Sequence, residues 1–416
     1  METQERQAKP MRRIDLREHT TAEQPYQLSA TERRQLGDAQ LSLSVYPADE
    51  DGEYYLRPGS VVGALEIDGL SILIEPKIGI PQLLSLACYA MGKVKHQDLQ
   101  MFDFGKAEAL PDTLAYALSA AARRAFRRGL LHGYRTEEEA LYGIRGRIRF
   151  DDQLRRRFAI AMPVEVRYDE FTNDILANQL VKAAAVRLGK MQLRSREARR
   201  GLGWVGGMVA DVSWVEFPPR KVPEVTFDRL NEHYRMVVEL ARLILRHTAF
   251  QAERGKVRAS GFLVDMNSLF QEFLTEALRD ALGVSRRVFL SEKQIPFDES
   301  KRLRLQPDFS WWDGNVCTFV GDAKYKNVEG ERNVPASDLY QLLAYATALD
   351  LPGGLLIYAK GEVEETEYTV RHAGKRLEVA SLDLSCPIDE ILMQVKGLAN
   401  RIVVLRNETR KLRGAA

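Results

Sequence analysis

The sequence predicts an α/β protein whose C-terminal domain has a mixed central sheet flanked by helices. A β-rich N-terminal domain and a largely helical middle region precede it. Three observations carry this expectation. Helical and strand-like stretches alternate from residue 266 onward, residues 26–78 read as short strands, and residues 111–130, Ala- and Leu-rich, and the run from Asn173 have helical spacing. With 416 residues the chain exceeds one ordinary hydrophobic core, so several domains are expected. Their expected bounds are a flexible N-terminus over 1–25, a β-rich domain over 26–110, a mostly helical region over 111–220 and the α/β domain over 221–416.

Residues 1–25 are polar and lack periodicity, which predicts a loose segment. The alternation in LSLSVYP, the turn after YYLRPG and the β-branched run VVGALEIDGLSILIEPKIG then predict strands. Pro81 suits the first turn of a helix through PQLLSLACYAMG. In the middle region, a helix is expected over 111–130, and YRTEEEALYGIRGRIRF reads as a strand pair around Gly143. NDILANQLVKAAAVRLGKM predicts a helix capped by Asn173, with Ile175, Leu176, Leu180, Ala184 and Leu188 on its buried side. Loop-like GLGWVGG and FPPRKVP place a junction near 220, and a helix over 227–250 can belong to either side.

The last region predicts a helix over 266–283, a strand over 286–296, a strand around 302–311 carrying Asp308 and a strand over 315–323 carrying Asp322. A helix over 335–350, the strand GLLIYA, a strand beginning at Glu365, Thr366 and Glu367, and a long helix over 387–411 follow.

Composition narrows the function classes. Hydrophobic residues at 45% and charged residues at 28% are ordinary for a soluble globular protein. No apolar run approaches the roughly 18 residues of a membrane span. The basic N-terminus has no apolar stretch behind it, which argues against a secretory signal. Cys88, Cys317 and Cys386 are far apart and form neither a disulfide framework nor a CxxC pair, so a reducing cytoplasm is expected. The dispersed His19, His96, His132, His233, His247 and His372 suggest no zinc site. Net charge is only +2, yet arginines cluster at Arg123, Arg124, Arg127 and Arg128, at Arg145, Arg147 and Arg149, and at Arg155, Arg156 and Arg157. Such clusters can neutralise phosphates, but a solvated surface balanced by Glu137, Glu138 and Glu139 is the favoured reading.

The chemistry concentrates in LRLQPDFSWWDGNVCTFVGDAKYK. Asp322 lies fourteen residues after Asp308, and a turn at Asp313-Gly314 between them would bring both to one end of a sheet. Lys324, two positions beyond Asp322, shares its face. Two carboxylates offer hard oxygen ligands for Mg2+ or Mn2+. A bound cation can stabilise a phosphodiester and acidify water, and a lysine can orient that water or stabilise charge. Taken alone, the same residues also read as a surface aspartate beside an ordinary ion pair. On the following helix Gln341 and Tyr345 are four apart and share a face.

Pro307-Asp308 followed by Asp322-Ala323-Lys324 resembles the PD-(D/E)xK nuclease motif. Glu272 stands on the preceding helix, where a third acidic ligand occurs in that superfamily, and the Gln341/Tyr345 pair resembles the QxxxY of RecB-like nucleases. MNSLFQEFL, QPDF, GDAKYK and the Gln-containing helix, together with the upstream IEPKIG and NDILANQLVKAAA, resemble the McrC family, nuclease subunits of McrBC modification-dependent restriction systems. The resemblance implies a metal-dependent endonuclease with Asp308, Asp322 and Glu272 on the metal. Lys324, Gln341 and Tyr345 complete the catalytic set. It further implies double-stranded, modified DNA as substrate and an McrB-like AAA+ GTPase ring as partner, docked by the β-rich N-terminal part. GTP would act only through that partner, and the chain itself contains no GxxxxGKS/T motif. One departure stands out: the family acid directly follows a Leu-Phe pair, whereas Leu269-Phe270 is followed here by Gln271, with Glu272 next. Either Glu272 takes the role or Gln271 replaces the acid. A non-catalytic activator of the GTPase ring and a stand-alone RecB-like nuclease are the competing functions.

Several residues carry bland readings. Of Trp311 and Trp312, strand alternation favours one in the core and one partly exposed over stacking on a base. Lys326 reads as a solvent lysine, Glu292 and Lys293 as strand boundaries, and Glu75 and Lys77 as either partner contacts or a strand-end ion pair.

Overall fold

The structure, a computed structural model, describes residues 12–38, 43–67, 70–91, 109–158, 160, 162–250, 259–325, 334–359 and 366–414. Contacts divide the chain into two units, Met1–Gly105 with Ala249–Ala416, and Lys106–Thr248. This differs from the expected division at 25, 110 and 220. The reason is a pairing between segments about two hundred residues apart, which local patterns do not reveal. Strand Ala259–Asp265 runs antiparallel to Val61–Ile67, with Phe262 opposite Ala64. Gly63 makes the approach feasible: its φ is 130°, and a Cβ there would stand 1.9 Å from the Phe262 carbonyl oxygen.

The same sheet continues antiparallel to Leu70–Glu75, and that strand pairs in parallel with Arg12–Arg17. Residues 12–17 are therefore an ordered strand rather than part of a flexible N-terminus. Their inward side chains Ile14 and Leu16 are buried, and it is this alternation at only two apolar positions that a polar composition hides. Residues 1–11 lie outside the described residues. Tyr26–Gln27, Glu53–Pro58 and Leu43–Pro47 form a separate three-stranded sheet. Helix Ile80–Ala90 begins with Pro81 in its first turn, as expected, and packs on helix Met266–Leu282 through Tyr89 and Phe273, whose rings are 5.5 Å apart.

In the second unit, helices Leu110–Ala125, Leu176–Gly189, Arg196–Met208 and Arg235–His247 form an α-helical core. The helix left open between two domains thus belongs here, and the buried Arg187 guanidinium donates to the Leu245 carbonyl at 3.0 Å. Asn173 does not cap its helix; the cap position is Ile175, and the Asn173 carbonyl accepts from Asn178 Nδ2 at 2.6 Å. Gly133–Leu141 and Arg147–Ile148 do not pair with each other around Gly143. Both pair antiparallel with Val164–Thr172, which lies between them.

The six-stranded sheet of the first unit positions the candidate site. Its order is Phe289–Ser291, Phe309–Asp313, Val316–Lys324, Gly353–Ala359, Arg376–Leu382 and Thr366–Thr369. The pairs are antiparallel at both ends and parallel in the centre, so the expected mixed sheet is present. Strand Arg376–Leu382 is an element the sequence reading did not separate. Helix Ala336–Ala348 covers one region of the sheet, burying Leu342, Tyr345 and Ala346 with Val320, Leu356 and Tyr358. Gly321 leaves room for the Phe309 ring, which would lie 2.2 Å from a Cβ. Phe309 is fully buried and contributes on the order of 2 kcal/mol through apolar burial alone. The terminal helix Ile388–Gly414 is tied to the sheet hairpin by Arg406, whose Nη2 is 2.7 Å from Asp313 Oδ1.

Candidate active site

The hairpin formed by Phe309–Asp313 and Val316–Lys324 turns at Gly314, with φ 63°, and Asn315. Its register sets Phe309 opposite Gly321. One step beyond that pair, Asp308 faces Asp322. Asp308 does not lie within a strand as expected but immediately before one, because Pro307 has no N–H with which to continue the ladder. The Ala323 N–H donates to Asp308 Oδ2 at 2.7 Å and holds the carboxylate across the gap.

Asp322 is fully buried, and neither of its carboxylate oxygens receives a hydrogen bond among the described residues. Its compensation is an ion pair between Oδ2 and Lys324 Nζ. Lys324 in turn donates to Gln341 Oε1 at 2.9 Å. Gln341 Nε2 donates to the Tyr345 hydroxyl at 2.6 Å, and that hydroxyl donates to the Gln306 carbonyl at 3.1 Å. A polar chain thus runs from the buried carboxylate, across the ammonium and the helix Ala336–Ala348, back to the backbone two residues before Asp308. Helical spacing puts Gln341 and Tyr345 on one face, and strand alternation puts Asp322 and Lys324 on the facing side.

The electrostatics follow from this crowding. Burial, and then the Asp322 charge, push the Asp308 carboxyl up to about 7, against the opposing Ala323 N–H and Lys324 charge. Burial, and then Asp322, also raise the Tyr345 phenol above its ordinary range, so it remains a hydrogen-bond donor at neutral pH. A buried carboxylate without hydrogen bonds is costly unless a cation compensates it. Two facing aspartates, with both Asp322 oxygens lacking hydrogen bonds, fit the oxygen preference of a hard divalent cation.

Of the residues expected from sequence, Asp308, Asp322, Lys324, Gln341 and Tyr345 are brought together. Glu272 is not. It is exposed on helix Met266–Leu282, and among the described residues no three His, Cys, Asp or Glu side chains gather as a metal-binding set. Adjacent helix positions point about 100° apart. With Leu269, Phe270, Phe273 and Leu274 on the buried face, the two positions Gln271 and Glu272 flank it on opposite sides. Gln271 is half-buried and donates Nε2 to Glu292 Oε1 at 3.2 Å. The reading of Glu292 as a plain strand boundary missed this contact. No motif spacing marks it; only the register of three strands does.

The bland readings fare as follows. Trp311 is buried, edge-on to Phe289 at 6.1 Å, while Trp312 is half-buried beneath Lys293, whose Nζ is 3.2 Å from the ring centroid. The arginines of the second unit are largely spoken for: Arg149 pairs with Glu138 at 3.0 Å, Arg157 with Glu165 at 3.2 Å, and Arg145 lies over Tyr168 at 4.0 Å. Lys77 donates its N–H to the buried Glu18 at 3.1 Å. Lys326 and His96 lie outside the described residues. Cys88 and Cys317 are buried free thiols and Cys386 is half-buried. Among the described residues no helix is long and apolar enough to cross a membrane.

A family model described as McrBC 5-methylcytosine restriction system component matches residues 56–359. The chain is 24% identical over 306 residues to the type IV methyl-directed restriction enzyme EcoKMcrBC of Escherichia coli (strain K12), covering 68% of this chain and 86% of that one. Its fold is similar to a chain in the refined half-complex from the tetradecameric assembly of Thermococcus gammatolerans McrB AAA+ hexamers with bound McrC. There the TM-score is 0.60 at 20% identity, covering 94% of this chain and 100% of that one.

Proposed function

The chain belongs to the family of McrBC 5-methylcytosine restriction system components, and from that premise we propose that it is the Mg2+-dependent DNA endonuclease subunit of such a system. The observation that carries the reading is the aspartate pair: Asp322 fully buried with both oxygens lacking hydrogen bonds, opposite Asp308, with Lys324 on the same face. Asp308 and Asp322 would hold the cation. When bound, Mg2+ or Mn2+ supplies positive charge to the phosphodiester and lowers the pKa of the attacking water. Lys324 orients that water or stabilises charge that develops on the phosphate. Gln341 fixes the ammonium, and Tyr345, anchored on the Gln306 carbonyl, fixes Gln341.

The partner in this reading is an AAA+ GTPase ring, with GTP hydrolysis confined to the ring and modified double-stranded DNA as the common substrate; the neighbour complex contains McrB AAA+ hexamers. The surface best suited to meet the ring lies in the second unit rather than over residues 26–110. Tyr134, Tyr142, Phe150, Phe158 and Phe171 there are all more than half exposed, with the Tyr134 and Phe171 rings 5.2 Å apart, and exposed aromatic side chains of this kind mark interaction sites.

The deciding experiment is cleavage of methylated DNA by the reconstituted complex with Mg2+ and GTP. Asp308→Asn and Asp322→Asn should each abolish cutting while the variant still binds and stimulates the ring. Cutting retained by both variants sinks the nuclease assignment. Among the described residues no three His, Cys, Asp or Glu side chains gather as a metal-binding set, which favours one alternative, a non-catalytic activator of the ring. Wild-type protein that stimulates GTP hydrolysis yet never cuts would establish it.

A further inference from the structure

We propose that Glu292, rather than an acid on helix Met266–Leu282, is the third carboxylate of the divalent-cation site, with Gln271 as its positioning residue. The proposal rests on the nuclease reading above and supplies the ligand that reading lacks.

Sheet register carries it. Ser291 pairs with Phe309, and Phe309 pairs with Gly321, in two successive antiparallel ladders. One step further along all three strands stand Glu292, Asp308 and Asp322. Directly opposed residues on neighbouring antiparallel strands are the closest cross-strand neighbours a sheet offers. The Glu292 N–H donates to the Asp308 carbonyl at 3.2 Å, so the backbone of the third acid is fixed on that of the first. Three acids at one sheet end thus fall in a single row, although nothing in their spacing along the chain indicates it.

Two local features single out Glu292. Its φ is 51°, a left-handed conformation that a non-glycine residue adopts at a cost and that recurs at functional positions. Its carboxylate accepts from Gln271 Nε2 at 3.2 Å. Gln271 is the residue standing where the helix acid is expected. An amide cannot provide a negative charge, but it can donate to a carboxylate and hold it near that place. The helix thereby contributes a tether, and the strand contributes the charge. Glu272 is poorly placed for the same task, since it diverges from Gln271 by about 100° around the helix. Glu292 is exposed, and as it stands it does not gather with the aspartates as a metal-binding set; ligation requires its carboxylate to turn from Gln271 toward them.

Charge counting agrees. Three ionised carboxylates with the Lys324 ammonium leave a formal charge of −2, the complement of one divalent cation. The buried Asp322 oxygens, without hydrogen bonds, are the point at which that charge is missing.

The test is calorimetric titration of Mn2+ into the full-length chain, without DNA or partner. Glu292→Gln should weaken Mn2+ binding by about tenfold to a hundredfold, the usual range for losing one supporting group of a metal site. Combining it with Gln271→Glu, which moves the carboxylate across the 3.2 Å contact onto the helix, should restore most of the affinity. Such a rescue excludes misfolding as the cause of the loss. Unchanged binding in Glu292→Gln together with loss in Glu272→Gln overturns the proposal but leaves the nuclease reading standing. Failure of the unsubstituted chain to bind Mn2+, or equal binding by Asp322→Asn, overturns both.

Discussion

Two sheets of this chain place their aromatic side chains in opposite ways. In the six-stranded sheet of the first unit, aromatic side chains are buried and so is a carboxylate: Phe289, Phe309 and Asp322 are all fully inaccessible. In the three-stranded sheet of the second unit and its adjoining helix Phe150–Arg157, most aromatic side chains are exposed, Tyr168 beneath Arg145 excepted. Phe158 is 85% exposed, whereas Glu165 is buried and held by Arg157. Burial of an unsatisfied carboxylate costs stability and is retained where chemistry uses it. Exposure of several aromatic side chains costs solubility and is retained where a partner covers them. In the proposed function, the first pattern is the place for a cation and a phosphodiester and the second a place for a protein.

The contrast breaks most decisively at Asp322. Asp322→Asn should lower DNA cleavage by the complex on the order of a thousandfold, in line with removal of a central electrostatic group, while GTPase stimulation persists. A parallel loss of stimulation would show that the two sheets are not functionally separate. At the other sheet, the double substitution Phe158→Ser and Phe171→Ser should weaken ring binding by about tenfold or more, as expected for aromatic anchors. Thermal melting and Mn2+ binding of the isolated chain should not change. Unaltered affinity for the ring would remove the exposed patch as the docking surface.

Tyr345→Phe is a finer probe. It removes the hydroxyl that links Gln341 to the Gln306 carbonyl. Each such bond contributes about 1 kcal/mol net, so cutting should fall roughly tenfold with the Mn2+ affinity retained, measured by single-turnover cleavage beside calorimetry. The smallest effect expected is in pH dependence. Burial and the Asp322 charge push the Asp308 carboxyl up to about 7 in the folded chain, from an ordinary 3.8. The native state therefore holds that proton more tightly than the unfolded state. Its stabilising contribution is complete below pH 3.8 and is lost as the pH rises through 7. Metal-free chain should melt at progressively lower temperature across that window, and Asp308→Asn should flatten the slope. An identical slope in the variant would assign the dependence to another group.

Much of the candidate site was legible before the structure because its geometry follows from two local periods. A strand places Asp322 and Lys324 on one face, and a helix places Gln341 and Tyr345 on one face. The turn-forming pair Asp313-Gly314 implied that Asp308 and Asp322 would meet. What stayed hidden depends on register and long-range pairing. Glu292 has no spacing relation to Asp308 along the chain and enters the row only because Ser291 pairs with Phe309. Glu272 looked suitable because its identity was right, but a helix turns about 100° per residue, and identity does not fix direction. The same limit applies to the fold. Arg12–Arg17 is polar at most positions, and its role as a strand is decided by Leu70–Glu75. The helix Arg235–His247 could not be assigned to either neighbour until its packing against Leu176–Gly189 was known.

The pairing of Ala259–Asp265 with Val61–Ile67 also has a bearing on synthesis at the ribosome. The earlier strand leaves the exit tunnel about two hundred residues before its partner. At roughly 5–20 residues per second, that delay lasts on the order of ten seconds or more. Throughout it, the nascent chain displays an unpaired apolar edge, the kind of template that recruits foreign strands. The intervening segment 106–248 has a core of its own and can complete folding during the wait. Chaperone dependence and aggregation of this protein should consequently track the length of that interruption, and shortening it should ease folding in the cell more than strengthening either flank.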